Sequence, residues 1–434
     1  MKRMNQLAYN YGIVLRFYPS DQQKKIIKLN YDNQRFVYNT LVGTNRELYH
    51  AKQIHINRNS HTGIAYPLES EPSPALLSFY QEKSDLISTI KHIRDEFPFL
   101  RLKGTDSLAL ANAGQNYRKA WNMYHRIGAG TPTFHRKSYT WSYQTAAQYS
   151  GALETYLDNG TVRFLDKDHI KLPILGRVRV SGLRKEIKKR LSKHIPTRIG
   201  TVTVKKSADG IFTISLSLAS DIPFVKPMQK VGDPIGIDLN TTNFLYTSDG
   251  TEVANPRFYR KSKKKLAKLQ RLMSRRQRRA KKEQRNLYES KNYQKQRLKV
   301  AKLQASIRRK RTNFLQETST ALIKNHDLVV AEELRSRNML KNHKLAMSIA
   351  DAGWREFLSD LEYKAEMYGK DFHTINPAFT TQRCHTCGII MGRDGRRKIE
   401  LGVEEWDCPN CHAHHIRDYN AAINNYEKYL GVWK

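Results

Sequence analysis

Apolar residues in the first quarter of the chain follow first a strand-like and then a helical pattern. Residues 11–18 are rich in β-branched and aromatic side chains and predict a strand. Ser20-Asp21 then caps a helix in which apolar residues recur at helical spacing. Residues 54–104 have an irregular pattern that prolines interrupt, and residues 105–126 predict a second long helix.

Short strands dominate the pattern between residues 151 and 220. The clearest pair, 201–205 and 211–218, flanks an Asp209-Gly210 turn and predicts a hairpin. Together with the first strand, this region predicts a small β-barrel into which a helical segment is inserted.

The pattern changes at residue 231, where an apolar strand contains a carboxylate. Residues 235–239 predict a buried strand with Asp238 in its C-terminal part, and residues 244–247 predict the second strand of a hairpin. Burying an unpaired charge in such a strand would cost roughly several kcal/mol of folding free energy. We therefore expect Asp238 to be paired or to bind a metal ion.

The rest of the chain predicts helices that alternate with short strands. In order, the predicted elements are two antiparallel helices over 257–325 with a turn near 283–292, a buried strand over 327–334, a basic loop over 335–344, one amphipathic helix over 346–369 and a strand around 372–376.

All four cysteines lie in two Cys-x-x-Cys pairs, which are Cys384 with Cys387 and Cys408 with Cys411. Four thiolates at this spacing suit one tetrahedral zinc ion in a closed structural site. Two disulfides are the alternative, but no feature of the sequence indicates a secreted protein. We expect a zinc ribbon that stabilises the fold and takes no part in catalysis.

The charge of the chain indicates a polyanionic partner. Lysine and arginine exceed aspartate and glutamate by 76 to 40, which gives a formal net charge of +36. Residues 261–310 alone hold 21 basic and two acidic residues, so the predicted helical hairpin is either a nucleic-acid surface or a solvated coiled-coil arm. Charge alone also fits ribosomal or membrane-surface binding. No apolar run approaches about 18 residues and no signal peptide is evident, so we expect a cytoplasmic protein without membrane partners.

Three acidic residues have positions that suggest a catalytic centre. Asp238 lies in the first buried strand, Glu332 at the end of a later strand, and Asp418 at the start of the last helix. Each acid alone could be structural, as a strand-end or helix-terminal charge. Their order is the carboxylate layout of the ribonuclease H-like fold, in which such acids hold two divalent ions about 4 Å apart. Oxygen ligands favour Mg²⁺.

Several motifs resemble the TnpB family of RNA-guided nucleases, which bacterial insertion sequences encode and which are related to type V CRISPR effectors. The motifs are GIDLNTTNFLYTSDG, VVAEELRSRNM, SIADAGWREFLSDLEYKAEMYG, and the two Cys-x-x-Cys pairs followed by RDYNAA. The resemblance extends over essentially the whole chain and is most specific over residues 231–425.

The resemblance implies an α+β multidomain fold. It implies a wedge-type β-barrel with an inserted helical recognition lobe, followed by a RuvC (ribonuclease H-like) domain that a four-cysteine zinc ribbon interrupts. The implied boundaries are 1–20 and 128–222 for the wedge barrel, 21–127 for the recognition lobe, 231–376 and 413–434 for the RuvC domain, and 377–412 for the ribbon.

The same resemblance assigns roles to individual residues. Asp238, Glu332 (rather than Glu333) and Asp418 take the three catalytic, Mg²⁺-binding positions. Ile416 departs from the family, because many relatives have a further aspartate there. The implied nucleic-acid contacts include Ser107, Leu108, Gln148 and Tyr149 beside the target-adjacent motif, and we add basic residues from the interleaved segment 128–145, the helical hairpin and the last helix: Arg136, Lys137, Arg275, Arg276, Arg278, Arg279 and Arg417.

The implied function is RNA-guided cleavage of double-stranded DNA beside a short motif. The expected cofactors are two Mg²⁺ ions, one structural Zn²⁺ ion and a guide RNA from the transposon end, and the expected assembly is a monomer with one RNA near the prokaryotic nucleoid. A nuclease-inactive RNA-guided repressor is one alternative, although that branch usually loses one or more of the metal-holding acids and this chain keeps all three. A CRISPR-associated type V effector is another, and a transposase acting on transposon ends would need a different acid spacing.

Overall fold

The protein is described from a computed structural model, and its chain forms two compact units, Met1–Phe224 and Val225–Lys434. The described residues are 2–53, 56–58, 65–67, 73–151, 154–191, 195–334, 343–393, 395–400 and 402–433. Parts of the irregular segment 54–104 and most of the predicted basic loop 335–344 lie outside them.

The first unit contains a seven-stranded antiparallel sheet in the order β4-β8-β9-β1-β7-β6-β5. Alternate side chains of the first strand, including Ile13, Leu15 and Phe17, point into one apolar core. The predicted hairpin around Gly210 is confirmed as β8 and β9. The strands are β1 (Tyr9–Tyr18), β4 (Trp141–Ala146), β5 (Arg163–Phe164), β6 (His169–Leu172), β7 (Gly176–Ser181), β8 (Arg198–Lys206) and β9 (Phe212–Ser220), and a separate hairpin pairs β2 (Ile56–Arg58) with β3 (Ala65–Pro67).

Helices inserted between β1 and β4 form a second apolar core in this unit. Ser20 and Gln23 exchange side-chain and backbone hydrogen bonds of 3.0 and 3.2 Å, which confirms the predicted cap of the first helix. Asp106 caps the fourth helix, and Gly128 ends it in a left-handed conformation. A short helix among the strands was not predicted. The helices are α1 (Asp21–Gln53), α2 (Pro74–Ser88), α3 (Ile90–Glu96), α4 (Ser107–Ile127) and α5 (Leu183–Lys189), with 3₁₀ turns at Met4–Gln6 and Pro98–Arg101.

The second unit is built on a five-stranded mixed sheet in the order β12-β11-β10-β13-β14. The three strands β10, β13 and β14 run parallel, whereas β11 and β12 form an antiparallel extension. The strands are β10 (Pro234–Leu239), β11 (Leu245–Thr247), β12 (Glu252–Val253), β13 (Leu328–Glu332) and β14 (Asp371–Ile375), and a two-stranded ribbon pairs β15 (Glu405–Asp407) with β16 (His414–Ile416).

Five helices belong to the described part of the second unit: α6 (Phe258–Lys282), α7 (Lys291–Asn325), α8 (His343–Ala352), α9 (Trp354–Tyr368) and α10 (Arg417–Tyr429). The predicted basic hairpin is confirmed as α6 and α7. The prediction of one helix over 346–369 is wrong, because Gly353 adopts a left-handed conformation (φ 72°) and separates α8 from α9. A Cβ atom at this position would also lie 3.3 Å from side-chain atoms of Arg311 and Leu315, so the left-handed conformation and the tight contact both favour glycine at the break.

Candidate metal centres and nucleic-acid interface

Two parallel strands place Asp238 and Glu332 at the same edge of the sheet. In the register between β10 and β13, Gly236 lies opposite Val330. Two residues further along each strand, Asp238 is level with Glu332. Because side chains alternate along a strand, both carboxylates share the side that Gly236 and Val330 face.

Helix α10 brings Asp418 to this edge by packing directly on β10. A Cβ atom at Gly236 would lie 2.2 Å from the carbonyl oxygen of Ala422 and 2.9 Å from Cβ of Tyr426, so only glycine permits this approach. The Asn425 amide donates a 2.9 Å hydrogen bond to the carbonyl of Ile237, the residue before Asp238. The first turn of α10 contains Asp418.

The three acids interact electrostatically. Burial raises the pKa of Asp238 well above its usual range, and the carboxylates of Glu332 and Asp418 raise it further, whereas Arg417 opposes them. Burial also raises the pKa of Glu332 against the opposing effects of Thr380 and Lys428. Converging carboxylates in a desolvated place repel each other, and a divalent cation would offset that repulsion. The all-oxygen donor set fits Mg²⁺.

Basic and hydroxyl groups surround the acids. Arg417 donates to the carboxylate of Asp418 at 3.0 Å, and the buried hydroxyl of Thr380 donates to Glu332. The Lys428 ammonium group is fixed by the carbonyls of Asn376 and Ala378 at 2.8 and 2.7 Å. Ile416 is the N-cap residue of α10 and has no side-chain oxygen to cap the helix, unlike an aspartate.

Three fully buried asparagines of α10 were not identified as a set from the sequence. Asn420 donates to the carbonyl of Arg383 at 2.8 Å and accepts from the His385 amide at 3.0 Å. Asn424 donates to the carbonyls of Arg383 and Thr380, and Asn425 binds β10. Their signal in the sequence is polar residues on the buried face of an amphipathic helix, which need backbone partners. Thr380 and Gly236 had no comparable signal.

The four cysteines form a compact cluster in the ribbon. The sulfur atoms lie 3.7 Å apart between Cys384 and Cys411 and 3.6 Å apart between Cys387 and Cys408, and all four lie within 4.8 Å of one another. These separations exceed a disulfide bond of about 2.05 Å and match the edge of about 3.8 Å in a tetrahedral site with bonds of about 2.3 Å. His415 lies 3.1 Å from the Cys384 sulfur and supports the cluster from β16.

The predicted nucleic-acid residues of the first unit differ in their exposure. Ser107 is exposed and Leu108 is half-buried in the first turn of α4. The Gln148 side chain is exposed, whereas the Tyr149 hydroxyl accepts a 2.8 Å hydrogen bond from the Ile199 amide. The polar end of Tyr149 is therefore already bound within the protein.

Exposed Arg136 and Lys137 precede β4. Arg136 lines a cleft of about 400 Å³ together with Tyr38 and the His135 ring, and the two rings stack at 3.8 Å. Asn116 and Gln144, joined by a 3.0 Å hydrogen bond, also line it. The cleft thus combines a cation, stacked rings and amides.

The four predicted nucleic-acid arginines of α6 fall into two pairs. Arg275 and Arg278 are exposed. Arg276 donates to the Asn292 carbonyl at 2.8 Å and Arg279 pairs with Glu283 at 2.9 Å. The second pair therefore contributes to the turn between α6 and α7 as well as to its charge.

Two family models match separate parts of this chain. Residues 217–343 match the family described as "Probable transposase" (OrfB_IS605), and residues 354–425 match "Cas12f1-like, TNB domain". A Streptomyces pristinaespiralis protein named "Putative RNA-guided DNA endonuclease" is 29% identical over 94% of this chain and 87% of its own length. "Putative RNA-guided DNA endonuclease InsQ" of Escherichia coli (strain K12) is 28% identical over 66% of this chain and 67% of its own length.

A solved structure has a similar fold. The chain in "Cryo-EM structure of the Cas12f1-sgRNA-target DNA complex" matches with a TM-score of 0.50 and 15% identity, over 96% of this chain and 98% of that chain. Among the described residues, no helix is long and apolar enough to span a membrane. The mixed α+β architecture is confirmed, and so is the resemblance of this chain to the insertion-sequence TnpB family and its type V relatives.

Proposed function

We propose that the chain is an RNA-guided DNA endonuclease whose active site consists of Asp238, Glu332 and Asp418. The observation that carries this proposal is that three electrostatically interacting carboxylates lie at the ends of β10 and β13 and at the start of α10, at residues that the resemblance assigns to catalysis. Two divalent ions held there would stabilise the attacking water and the leaving oxygen of a phosphodiester.

The residues around the acids have distinct parts in this proposal. Arg417 fixes the Asp418 carboxylate and adds positive charge where a phosphate would approach. Thr380 and Lys428 stabilise the charge of Glu332. Burial of Asp238 keeps bulk water from competing for its oxygens.

The proposal also assigns the domains of the chain and its zinc site. The seven-stranded sheet with 1–20 and 128–222 is the wedge-type barrel, the helices within 21–127 are the recognition lobe, and 231–376 with 413–434 form the RuvC domain. The sulfur cluster in 377–412 holds one structural zinc ion, because its geometry leaves no open ligand position. Metal analysis of the purified protein tests this count.

The partners are a guide RNA and double-stranded target DNA, bound by a monomer near the nucleoid. The name of the Streptomyces relative and the net charge of +36 support this proposal. Base pairing with the guide would provide sequence specificity, and the cleft at Arg136 offers groups suited to bases or phosphates.

Carboxamide variants test the active site. We expect Asp238→Asn, Glu332→Gln and Asp418→Asn each to reduce cleavage of a guide-matched plasmid at least about 100-fold. Mutation of residues that only hydrogen-bond to metal ligands already lowers metal affinity or activity about 10- to 100-fold. Guide RNA binding should remain at the parental level.

Glu333→Gln is the matched control, because Glu333 is exposed and adjacent to Glu332. Its cleavage rate should equal that of the parent. Parental rates for the three carboxamide variants would refute the active site. Guide-dependent binding without cleavage by the parent would instead support the RNA-guided repressor.

A further inference from the structure

The hydroxyl group of Thr380 links the base of the ribbon to the candidate active site. Thr380 is 1% exposed, and its hydroxyl donates to one carboxylate oxygen of Glu332. The Pro377 carbonyl lies 3.1 Å from the same hydroxyl and is the more distant of its two acceptors. A hydroxyl has one hydrogen, so the carboxylate receives it.

The main chain of Thr380 is itself held by α10. Asn424 donates to the carbonyls of Thr380 at 2.9 Å and Arg383 at 2.7 Å, and it accepts from the Arg383 guanidinium at 2.9 Å. Asn424 is fully buried, and Arg383 directly precedes Cys384 of the sulfur cluster. A continuous series of contacts therefore connects the ribbon, α10 and Glu332.

We propose that Thr380 is a positioning residue that orients the Glu332 carboxylate for a divalent cation, with the ribbon and α10 as its rigid support. This inference rests on the proposed function. A glutamate at a strand end has three rotatable side-chain bonds, and a hydrogen bond to one carboxylate oxygen restricts the orientations in which the second oxygen would be available to a cation. In this proposal Thr380 acts through Glu332 and not directly on substrate or cation.

The test measures cation binding directly as well as cleavage. Mn²⁺ binding to the RNA-bound protein is followed by electron paramagnetic resonance, and the signal of the Asp238→Asn complex is subtracted as the background of Mn²⁺ on RNA. Thr380→Val removes the hydroxyl at nearly constant volume, Thr380→Ser retains it, and Thr381→Val removes the neighbouring hydroxyl while leaving the bond to Glu332 intact.

For Thr380→Val we expect the Mn²⁺ concentration at half-saturation to rise about 10-fold. This is the lower end of the loss in metal affinity seen when a hydrogen-bond partner of a metal ligand is removed. Cleavage should recover at saturating Mn²⁺. For Thr380→Ser and Thr381→Val, the Mn²⁺ concentration at half-saturation should remain within about twofold of the parental value, because both variants keep the hydroxyl that is bonded to Glu332.

Two outcomes would overturn the inference. Unchanged Mn²⁺ affinity in Thr380→Val would show that the hydroxyl does not position Glu332. Weakened affinity in Thr380→Ser equal to that in Thr380→Val would assign the effect to the lost packing of the methyl group. A parent without any Asp238-dependent Mn²⁺ signal would refute the proposed active site itself, which distinguishes the two failures.

Discussion

Gly236 determines how closely helix α10 can approach the strand that contains Asp238. A Cβ atom there would lie 2.2 Å from a backbone oxygen, and a main-chain atom cannot rotate away as a side chain can. Any larger residue must therefore push α10 and its Asp418 away from β10. At this position the identity of one residue sets the spacing of two candidate metal ligands.

We expect Gly236→Ala to lower the free energy of unfolding by about 1–3 kcal/mol, the usual cost of overpacking. Cleavage should fall as well, because Asp418 is displaced from Asp238. Denaturant unfolding and plasmid cleavage measure the two effects.

Gly12→Ala is the control for this change. Gly12 also lies within a strand, but a Cβ atom added there would meet no described atom within 4 Å beyond its chain neighbours. The free energy of unfolding should therefore change by less than about 0.5 kcal/mol. Equal effects of the two substitutions would show that α10 does not depend on Gly236.

At the scale of elements, α10 joins the parts of the candidate site. One face of it contacts β10 through Asn425, and another holds the ribbon through Asn420 and Asn424. Buried amides satisfy backbone groups that a purely apolar helix would leave unpaired. The ribbon is thereby docked on the helix that presents Asp418.

The elements that the sequence predicted well are those with a strong local period or a local cap. The capped start of α1, the hairpin at Gly210 and the basic helical hairpin depend on neighbouring residues alone. The spacing of the four cysteines can be read directly from the sequence. These features need no knowledge of distant contacts.

Features that depend on tertiary contacts were missed. The helix break at Gly353 lies in a continuous amphipathic pattern, and the close side chains of α7 that favour glycine there are distant in the sequence. The bond from Thr380 to Glu332 spans 48 positions in the sequence. The sequence pattern predicted which elements contain the three acids. Only the register between β10 and β13 places Asp238 beside Glu332.

Two exposed arginines of α6, Arg275 and Arg278, allow a prediction about the basic hairpin. In the Arg275→Gln, Arg278→Gln double variant, we expect weaker guide RNA binding and a plot of log affinity against log salt that is shallower by roughly 1.4–1.8, for two lost phosphate contacts. Filter binding across a salt series measures both quantities.

The Arg276→Gln, Arg279→Gln double variant is the matched comparison, with the same change in charge on the same helix. Its guanidinium groups already bind acceptors of the protein, so the slope should change less, while the hairpin turn loses support. Equal slopes for the two double variants would argue against direct phosphate contact by Arg275 and Arg278.

At the scale of the whole molecule, the charge of +36 makes the unbound chain repel itself. The described ion pairs use only part of the basic residues, and many of these pairs are exposed and weak. Self-repulsion destabilises the compact state, and a polyanion that binds the folded chain stabilises it by mass action.

The thermal midpoint of unfolding should therefore respond to salt in opposite directions with and without RNA. Salt screens the self-repulsion of the unbound protein, so its midpoint should rise between 50 mM and 500 mM NaCl, concentrations chosen to span Debye lengths of roughly 14 to 4 Å. The same salt weakens RNA binding, so the midpoint of the complex should fall towards that of the unbound protein. Differential scanning fluorimetry of both samples measures the two trends. A midpoint of the unbound protein that does not change with salt would show that its positive charges are already compensated within the fold, and the net charge would then no longer indicate a polyanionic partner.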